Sequence, residues 1–173
     1  LQTPFLCVGT DLFTGQSIEL NSGYLPMAVR ASMSIPGYFA PTYYQGRYLV
    51  DGGVVNNYPA ADVQQMGAQL LIGGDVQSPL KDNMDELASV ATVIDQIVSF
   101  SRIEANEQAK KLFEIDIHFT LNEGMMDFNA YDSIIATGER VARAHYDELK
   151  KLADSLNAIE YKPMRKFDAT PLD

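Results

Sequence analysis

One stretch of the sequence, residues 48–76, restricts the possible folds more than any other part of the chain. It begins with an apolar run that ends in Asp51-Gly52-Gly53. Pro59 then opens a predicted helix, because proline is tolerated in the first turn, where its missing N–H is not needed. A second short apolar run, over residues 69–76, is typical of a buried strand. A strand, a helix and a strand in this order predict an α/β fold whose sheet is at least partly parallel.

Hydrophobic periodicity assigns the rest of the chain. Alternation of apolar and polar residues predicts strands, and apolar residues spaced by three and four predict helices. In chain order these are strands over 4–11 and 16–20, a helix over 25–33, a β-rich segment over 41–50 with a turn at Gln45-Gly46-Arg47, a helix over 87–101, a strand over 113–121 and a helix over 131–156. The apolar stripe of the helix over 87–101 is predicted to face the core and not a membrane, because its polar face is not basic.

The acidic charge balance excludes one class of partner. The chain has 173 residues and a formal net charge of -10, and such a surface repels the phosphate backbone of nucleic acids. It also argues against tight electrostatic binding to anionic bilayers, although transient contact with a membrane stays open. No apolar run approaches the roughly 20 residues that a membrane-spanning helix needs, and no signal peptide is recognisable.

Asp51 is the main candidate for chemistry. A carboxylate at the end of a strand can accept the proton of a hydroxyl group if it is ionised and within hydrogen-bond distance. Gly52 and Gly53 remove side-chain bulk and permit positive φ angles, so the loop can approach another segment closely. A plain Asp-Gly turn between two elements is the simpler explanation of the same tripeptide.

Three blocks in a fixed order resemble the patatin-like phospholipase family. They are Gly9-Thr10-Asp11-Leu12 with Thr14-Gly15, the run from Ala28-Val29-Arg30-Ala31-Ser32 to Pro41, and Val50-Asp51-Gly52-Gly53 followed by Asn56-Asn57 and Pro59. The resemblance extends over residues 5–144. It identifies residues 1–157 as the C-terminal portion of a patatin-like domain and residues 158–173 as a tail or linker.

The resemblance implies both a fold and an activity. The fold is a three-layer α/β/α sandwich with a mixed, partly parallel sheet, of which this chain is the C-terminal portion. The activity is hydrolysis of ester bonds in phospholipids or other acyl lipids by a Ser-Asp dyad, without a metal or an organic cofactor. Asp51 takes the place of the catalytic aspartate, and Gly52 and Gly53 form the loop that supports it. Relatives occur both in the cytoplasm and as exported or outer-membrane-attached proteins, so the compartment stays open.

The chain departs from the family pattern in the part that carries the nucleophile. It contains no Gly-x-Ser-x-Gly sequence and no glycine-rich segment for an oxyanion hole. In the family both precede the part seen here. We therefore expect a missing N-terminal segment, in the same polypeptide or in a separate chain, to carry the nucleophilic serine, and the abrupt start at Leu1 agrees with this expectation. The alternative is a non-catalytic patatin-like module that binds lipids or other partners.

Other reactive side chains have simpler structural explanations. Ser32 and Ser34 lack the strained strand-to-helix turn that exposes a nucleophile. His145 lies in the apolar stripe of the last predicted helix and is expected to pack there. His118 shares a strand face with Asp116, and a solvated or cross-strand-paired side chain is favoured over a metal ligand, because two ligands without a third are weak support for a metal site.

Three further features complete the predictions. Asp11 is expected to accept backbone N–H groups in the turn after the first strand. Cys7, the only cysteine, lies in an apolar run and is expected to fill core space. The loop over residues 124–128, with Met125, Met126 and Phe128, either lines an entry for an acyl chain or packs back onto the core.

The absence of a nucleophile predicts that the 173-residue chain alone does not hydrolyse a short-chain nitrophenyl ester. It carries the base and not the alcohol that would form an acyl-enzyme. Release of nitrophenolate by the purified chain is the measurement. Turnover that disappears in the Asp51→Asn variant would contradict the prediction, because it would locate a nucleophile within these residues.

Overall fold

The protein is described by a computed structural model that covers residues 1, 3–121, 123, 124, 127 and 129–158. These residues form two compact units. The first comprises Leu1, Thr3–Leu71 and Pro79–Glu114, and the second comprises Ile72–Ser78 and the described residues from Ile115 onward. Apart from Ala158, the predicted tail lies outside the described residues, and the boundary after residue 157 stays a prediction.

The first unit is built on a four-stranded antiparallel sheet. Its strands are β1 (Cys7–Asp11), β2 (Ser17–Leu20), β3 (Thr42–Tyr44) and β4 (Arg47–Asp51). The strand order is β2-β1-β4-β3, so β1 and β4 are the inner strands. Gln45 and Gly46 both have positive φ, as a two-residue hairpin turn between β3 and β4 requires.

A short helix covers this sheet. α1 (Leu25–Ser32) has a proline in its first turn and packs against β1, β3 and β4. The buried cluster between helix and sheet comprises four residues, namely Leu20, Ala28, Ala31 and Leu49. Cys7 packs against this cluster, which confirms its predicted place in the core.

Two more helices complete the first unit. α2 is Ala60–Gln65, and α3 is the long helix Val90–Lys110. The start of α3 is stabilised by a reciprocal cap, in which Ser89 and Thr92 each accept the backbone N–H of the other. α3 packs against α2 and against the short 3-10 turn Gly52–Val54 that follows β4.

The second unit contains one parallel strand pair and two helices. β5 (Ile72–Asp75) pairs in parallel with β6 (Ile115–His118), with Ile72 opposite Ile115. The helices are α4 (Tyr131–Ala144) and α5 (Tyr146–Asn157).

The predicted α/β class with mixed strand pairing is confirmed, but the parallel pair is not the one that the sequence suggested. The strand–helix–strand order over residues 48–76 pointed to β4 and β5. In the structure β4 pairs antiparallel with β1 and β3, and the parallel pair is β5 with β6. Periodicity identifies a segment as a strand, but it does not specify the neighbour to which the strand pairs. The three-layer arrangement stays a prediction.

The predicted helix over residues 131–156 is two helices. The break is at His145, whose N–H donates to the carbonyls of both Val141 and Ala142, at 3.3 and 3.2 Å. Such a shared hydrogen bond tightens the last turn and is common where a helix ends. The apolar spacing continues through the break, and for this reason periodicity alone did not reveal it.

The apolar stripe of α3 faces the core only in part, so its predicted burial is wrong for several residues. Three residues of the stripe predicted over 87–101 are exposed, namely Val90, Ile97 and Ser101. Its other four residues are half-buried, namely Leu87, Ala91, Ile94 and Val98. Apolar spacing indicates that a helix has an apolar face, but it does not indicate what covers that face. Neither α3 nor any other helix among the described residues is long and apolar enough to cross a membrane.

The turn after β4 approaches β1 so closely that residue 52 has no space for a side chain. A Cβ atom on Gly52 would overlap the carbonyl oxygen of Val8 and would lie 2.6 Å from the carbonyl carbon of the same residue. Both are backbone atoms of an inner strand, so they cannot move aside without disturbing the sheet.

We expect Gly52→Ala to lower the free energy of unfolding by about 1–3 kcal/mol, because the added methyl group forces the turn away from β1. Denaturant unfolding followed by circular dichroism is the measurement. Gly138→Ala in α4 is the control. Apart from its chain neighbours and the adjacent backbone of the helix, no described residue has an atom within 4 Å of a Cβ there, and alanine is favoured in a helix by roughly 1 kcal/mol. A Gly52→Ala variant as stable as the parent chain would contradict the close contact.

Candidate functional site

Asp51 is the last residue of β4, and its backbone is held from several sides. Gly9 of β1 lies opposite it in the sheet. The N–H of Asp51 donates to the carbonyl of Ser34 at 3.0 Å. The hydroxyl of Thr10 donates to the carbonyl of Asp51 at 2.8 Å. The position of this residue therefore depends on β1 and on the turn after α1.

The carboxylate of Asp51 caps the 3-10 turn that follows it. Its Oδ1 accepts the N–H of Gly53 at 2.7 Å, and no described residue donates a hydrogen bond to Oδ2. Burial is the strongest influence and raises the pKa of Asp51 above its ordinary value. The hydrogen bond from Gly53 and the positive charge of Arg102 lower the pKa, but burial outweighs both.

A half-buried carboxylate with a raised pKa is well suited to accept a proton. Its ionised form is a stronger base than an ordinary aspartate, and its incomplete burial leaves room for a reacting group. Because Gly53 holds Oδ1 in place, Oδ2 is the oxygen that a hydroxyl group could approach.

The two glycines are needed for close packing and not for unusual backbone angles. Neither Gly52 nor Gly53 has a positive φ, so the loop does not use the backbone freedom that glycine permits. A Cβ atom on Gly53 would overlap Oδ1 of Asn57 and would lie 2.9 Å from Oδ1 of Asp51. The absence of a side chain thus allows the N–H of Gly53 to reach the carboxylate while Asn57 covers the turn.

Arg102 contributes to the electrostatics of the site, and the sequence analysis missed it. Its guanidinium group donates to the carboxylate of Asp95 and to the hydroxyl of Ser99, each at 2.6 Å. These contacts within α3 hold the positive charge where it lowers the pKa of Asp51. No spacing pattern could link Arg102 to Asp51, because the packing of α3 against the turn brings them together.

An open cleft of about 400 Å³ lies beside this turn. Residues 56–62 form one wall, and residues 105–112 of the chain form the other. A hydrogen bond of 2.9 Å from the Asn56 side chain to Asp62 holds the first wall together. Asn57 lines the cleft and also covers the turn, so a molecule bound in the cleft would lie next to the Asp51 loop.

Asp11 has the structural role predicted for it, with one further partner. Its Oδ1 accepts the N–H groups of Phe13 and Thr14, at 2.9 and 3.1 Å, as expected for the turn after β1. Its Oδ2 forms an ion pair with Arg47 at 2.7 Å. The hydrogen bond from Arg47 is the largest influence and, together with the backbone donors, lowers the pKa of Asp11.

Neither of the two serines nearest to Asp51 in sequence is placed as a nucleophile. Ser34 is completely buried; its hydroxyl donates to the carbonyl of Arg30 at 2.9 Å and accepts from the guanidinium group of Arg30 at 2.7 Å. Thr42 lies 2.9 Å from the same hydroxyl. Ser32 forms a hydrogen bond with Cys7, which lowers the pKa of the thiol less than burial raises it.

Both histidines are paired with carboxylates outside the Asp51 turn. His118 is paired across the strands, which is one of the two alternatives expected for it, and its partner is Asp75 of β5 at 3.1 Å. His145 is half-buried at the junction of α4 and α5, with Glu148 at 3.1 Å. Within the described residues, no three histidine, cysteine or acidic side chains lie close enough to hold a metal ion.

The two predicted roles of the loop over residues 124–128 depend on its three large apolar side chains. Met125, Met126 and Phe128 lie outside the described residues. Of the remaining two positions, Asp127 donates its N–H to the carbonyl of Gly124 at 2.9 Å.

Comparison with known proteins identifies a family pattern in the first part of the chain. Residues 7–63 match the family model described as patatin-like phospholipase. An uncharacterised NTE family protein of Mycobacterium tuberculosis is 38% identical over 86 residues, which are 47% of this chain and 24% of that protein. A patatin-like phospholipase domain-containing protein of Caenorhabditis elegans is 34% identical over 102 residues, or 56% of this chain and 8% of that protein. A lysophospholipase of Emericella nidulans is 34% identical over 104 residues, or 57% and 7%.

These similarities confirm the resemblance drawn from the three sequence blocks. Asp51 and the glycines after it lie within the matched residues 7–63. The extension of the resemblance to residue 144 stays a prediction. The chain spans about a quarter or less of the length of these relatives.

We expect Asp51→Asn to raise the melting temperature near neutral pH by about 2–4 °C, because it removes a buried charge and keeps an oxygen that accepts from Gly53. A raised pKa means that the folded protein binds this proton more tightly than the unfolded chain does. The free energy of unfolding of the parent chain therefore falls as the pH rises from the ordinary pKa of aspartate through the raised one. The variant lacks this decline. Thermal melts over a pH series are the measurement.

Asp11→Asn is the matched control, with the opposite sign. Because the pKa of Asp11 is lowered, its ionised form stabilises the fold above the ordinary pKa, and this stabilisation is lost as the pH falls through the lowered value. Asp11→Asn is expected to melt below the parent chain near neutral pH, and the difference should shrink in acid. Equal shifts of the same sign in both variants would contradict the environments described for the two carboxylates.

Proposed function

We propose, from the match of residues 7–63 to patatin-like phospholipases, that this chain is the part of a serine lipid acylhydrolase that supplies the general base, Asp51. The observation that carries the proposal is the state of this carboxylate. It lies within the matched residues, at the end of a strand, with burial raising its pKa and one oxygen held by Gly53. A structural carboxylate such as Asp11, in contrast, has its pKa lowered by its partners.

In the proposed reaction Asp51 acts twice. It first accepts the proton of a serine hydroxyl while the serine oxygen attacks the carbonyl carbon of an acyl ester. The protonated Asp51 then gives this proton to the leaving alcohol, which departs as the ester bond breaks and an acyl-enzyme remains. In the second half, Asp51 accepts a proton from water as the water oxygen attacks the acyl-enzyme. The proton then returns to the serine, and a free carboxylic acid is released.

The nucleophile and the oxyanion hole belong, in this proposal, to a segment outside these 173 residues. In this proposal the segment packs on an exposed apolar face of α3. Its side chains are between 39% and 77% exposed and are spaced by three and four, namely Val90, Val93, Ile97, Phe100 and Ile103. Because α3 also packs against the Asp51 turn, a segment covering this face would lie near the carboxylate.

The proposed substrate is an acyl ester of a phospholipid. The support is the match to patatin-like phospholipases and the similarity to the Emericella nidulans lysophospholipase. The cleft beside the Asp51 turn, with Asn57 at its edge, is the place where we expect part of this substrate to lie.

The test is labelling of the complete protein by a serine-reactive fluorophosphonate. We expect the wild-type protein to be labelled, and Asp51→Asn to be labelled about 10²–10⁴-fold more slowly, because the serine loses its general base. In-gel fluorescence over time is the measurement. Labelling at the same rate in both would remove Asp51 from the mechanism, and no labelling of the wild type would favour a non-catalytic lipid-binding or interaction module.

A double variant, His118→Ala with His145→Ala, is the control for the dyad. Both histidines are paired with carboxylates outside the Asp51 turn, and a Ser-Asp dyad needs no imidazole. The double variant should be labelled at the wild-type rate. A loss comparable to that of Asp51→Asn would indicate a triad with a histidine in place of the dyad.

A further inference from the structure

Three exposed aromatic side chains form a cluster on one surface of the first unit. Phe13, Tyr43 and Tyr48 are 80%, 60% and 46% exposed; we call them the aromatic cluster. The rings of Phe13 and Tyr48 meet edge to face with centroids 5.9 Å apart, and those of Tyr43 and Tyr48 are tilted with centroids 5.0 Å apart. An open groove of about 450 Å³ runs among them.

The sheet and its turns hold these rings in place. Tyr43 and Tyr48 are direct cross-strand partners in the hairpin of β3 and β4, so both side chains stand on the same face. Phe13 lies in the turn after β1, where its N–H donates to Asp11. The next residue toward β1, Leu12, donates its N–H to the carbonyl of Tyr48 at 2.9 Å. Strand pairing and backbone hydrogen bonds therefore fix the positions of the three rings relative to one another.

The aromatic cluster carries no net charge on a chain that is strongly acidic. The two ionised side chains that line the groove, Asp11 and Arg47, are paired with each other at 2.7 Å. The other lining residues are uncharged. The formal net charge of the whole chain is -10. This surface, in contrast, is electrically neutral.

We propose that the aromatic cluster is the surface by which the protein contacts a zwitterionic phospholipid bilayer. Tyrosine rings combine an apolar body with a polar hydroxyl group and are enriched at the interface of membrane and water. Phenylalanine adds an apolar ring that can be buried at the boundary of head groups and acyl chains. Their faces also attract quaternary ammonium groups. A neutral surface suits head groups without net charge, whereas the acidic remainder of the chain is repelled by anionic lipids. The choice of a lipid partner rests on the proposed function.

The sequence provides a direct reporter for this contact, because the chain contains no tryptophan. Tyr43→Trp places a single indole in the aromatic cluster. On addition of phosphatidylcholine vesicles we expect a blue shift of its emission and quenching by brominated phosphatidylcholine. An unchanged spectrum in the presence of vesicles overturns the proposal.

Sedimentation of the wild-type chain with the same vesicles tests which residues are responsible. We expect Phe13→Ser and Tyr43→Ser each to lower the bound fraction about tenfold or more, because each removes a ring from the contact. Tyr146→Ser is the matched control, since Tyr146 and Tyr43 are both 60% exposed and Tyr146 lies on α5. The assignment is contradicted if Tyr146→Ser lowers binding as much as Tyr43→Ser does. It is also contradicted if the chain binds only anionic vesicles.

The same assay separates this proposal from that of the catalytic function. Asp51→Asn is expected to bind phosphatidylcholine vesicles as the wild-type chain does, because Asp51 does not line the groove of the aromatic cluster. If the protein is not labelled by the fluorophosphonate but binds vesicles through the cluster, the proposed hydrolase activity is refuted and the membrane contact is retained. The protein could instead self-associate in the absence of vesicles. If Phe13→Ser abolishes such self-association, the cluster is a protein interface and the proposed membrane contact is overturned.

Discussion

The pairing of β1 with β4 is the interaction on which the rest of the first unit depends. It sets Gly9 opposite Asp51 and brings the backbone of Val8 against residue 52 so closely that only glycine fits. It also lets the hydroxyl of Thr10 hold the carbonyl of Asp51. A slip of one residue in this register would turn every side chain of the strand to the opposite face. The carboxylate proposed as the base is thus positioned by sheet pairing as much as by the Asp-Gly-Gly sequence.

The two inner strands each end in an aspartate, and the surroundings of the two carboxylates differ in kind. Asp11 is paired with Arg47 and with two backbone donors, which lower its pKa and make it a stable part of the turn. Asp51 has one backbone donor, and burial outweighs it and raises the pKa. The arrangement around Asp11 favours protein stability, because it stabilises the charged carboxylate. The arrangement around Asp51 favours proton transfer, because a carboxylate that is less stabilised in its charged form accepts a proton more readily.

The local elements were largely predictable, and the pairing between them was less so. Both hairpins of the first unit were recognised, because turn residues such as Gly46 and alternating side chains are local signals. The parallel pair of β5 and β6, the helix break at His145 and the exposed residues of α3 were not. Each depends on the partner that an element meets, and periodicity carries information about one element only. The aromatic cluster was missed for the same reason, since Phe13 in the turn after β1 meets Tyr48 of β4 only in the folded chain.

The sequence by itself determined the α/β class, the family resemblance and the identity of Asp51 as the candidate base, because these follow from residue order and short motifs. It also established that no Gly-x-Ser-x-Gly sequence is present. Only the tertiary structure decided that residue 52 must lack a side chain to fit against Val8, and that the hydroxyl of Ser34 is buried in a structural role. It also decided that the positive charge of Arg102 lowers the pKa of Asp51. The physical reason is that burial, steric contact and electrostatic interaction depend on distances in space, and the groups involved lie far apart along the chain.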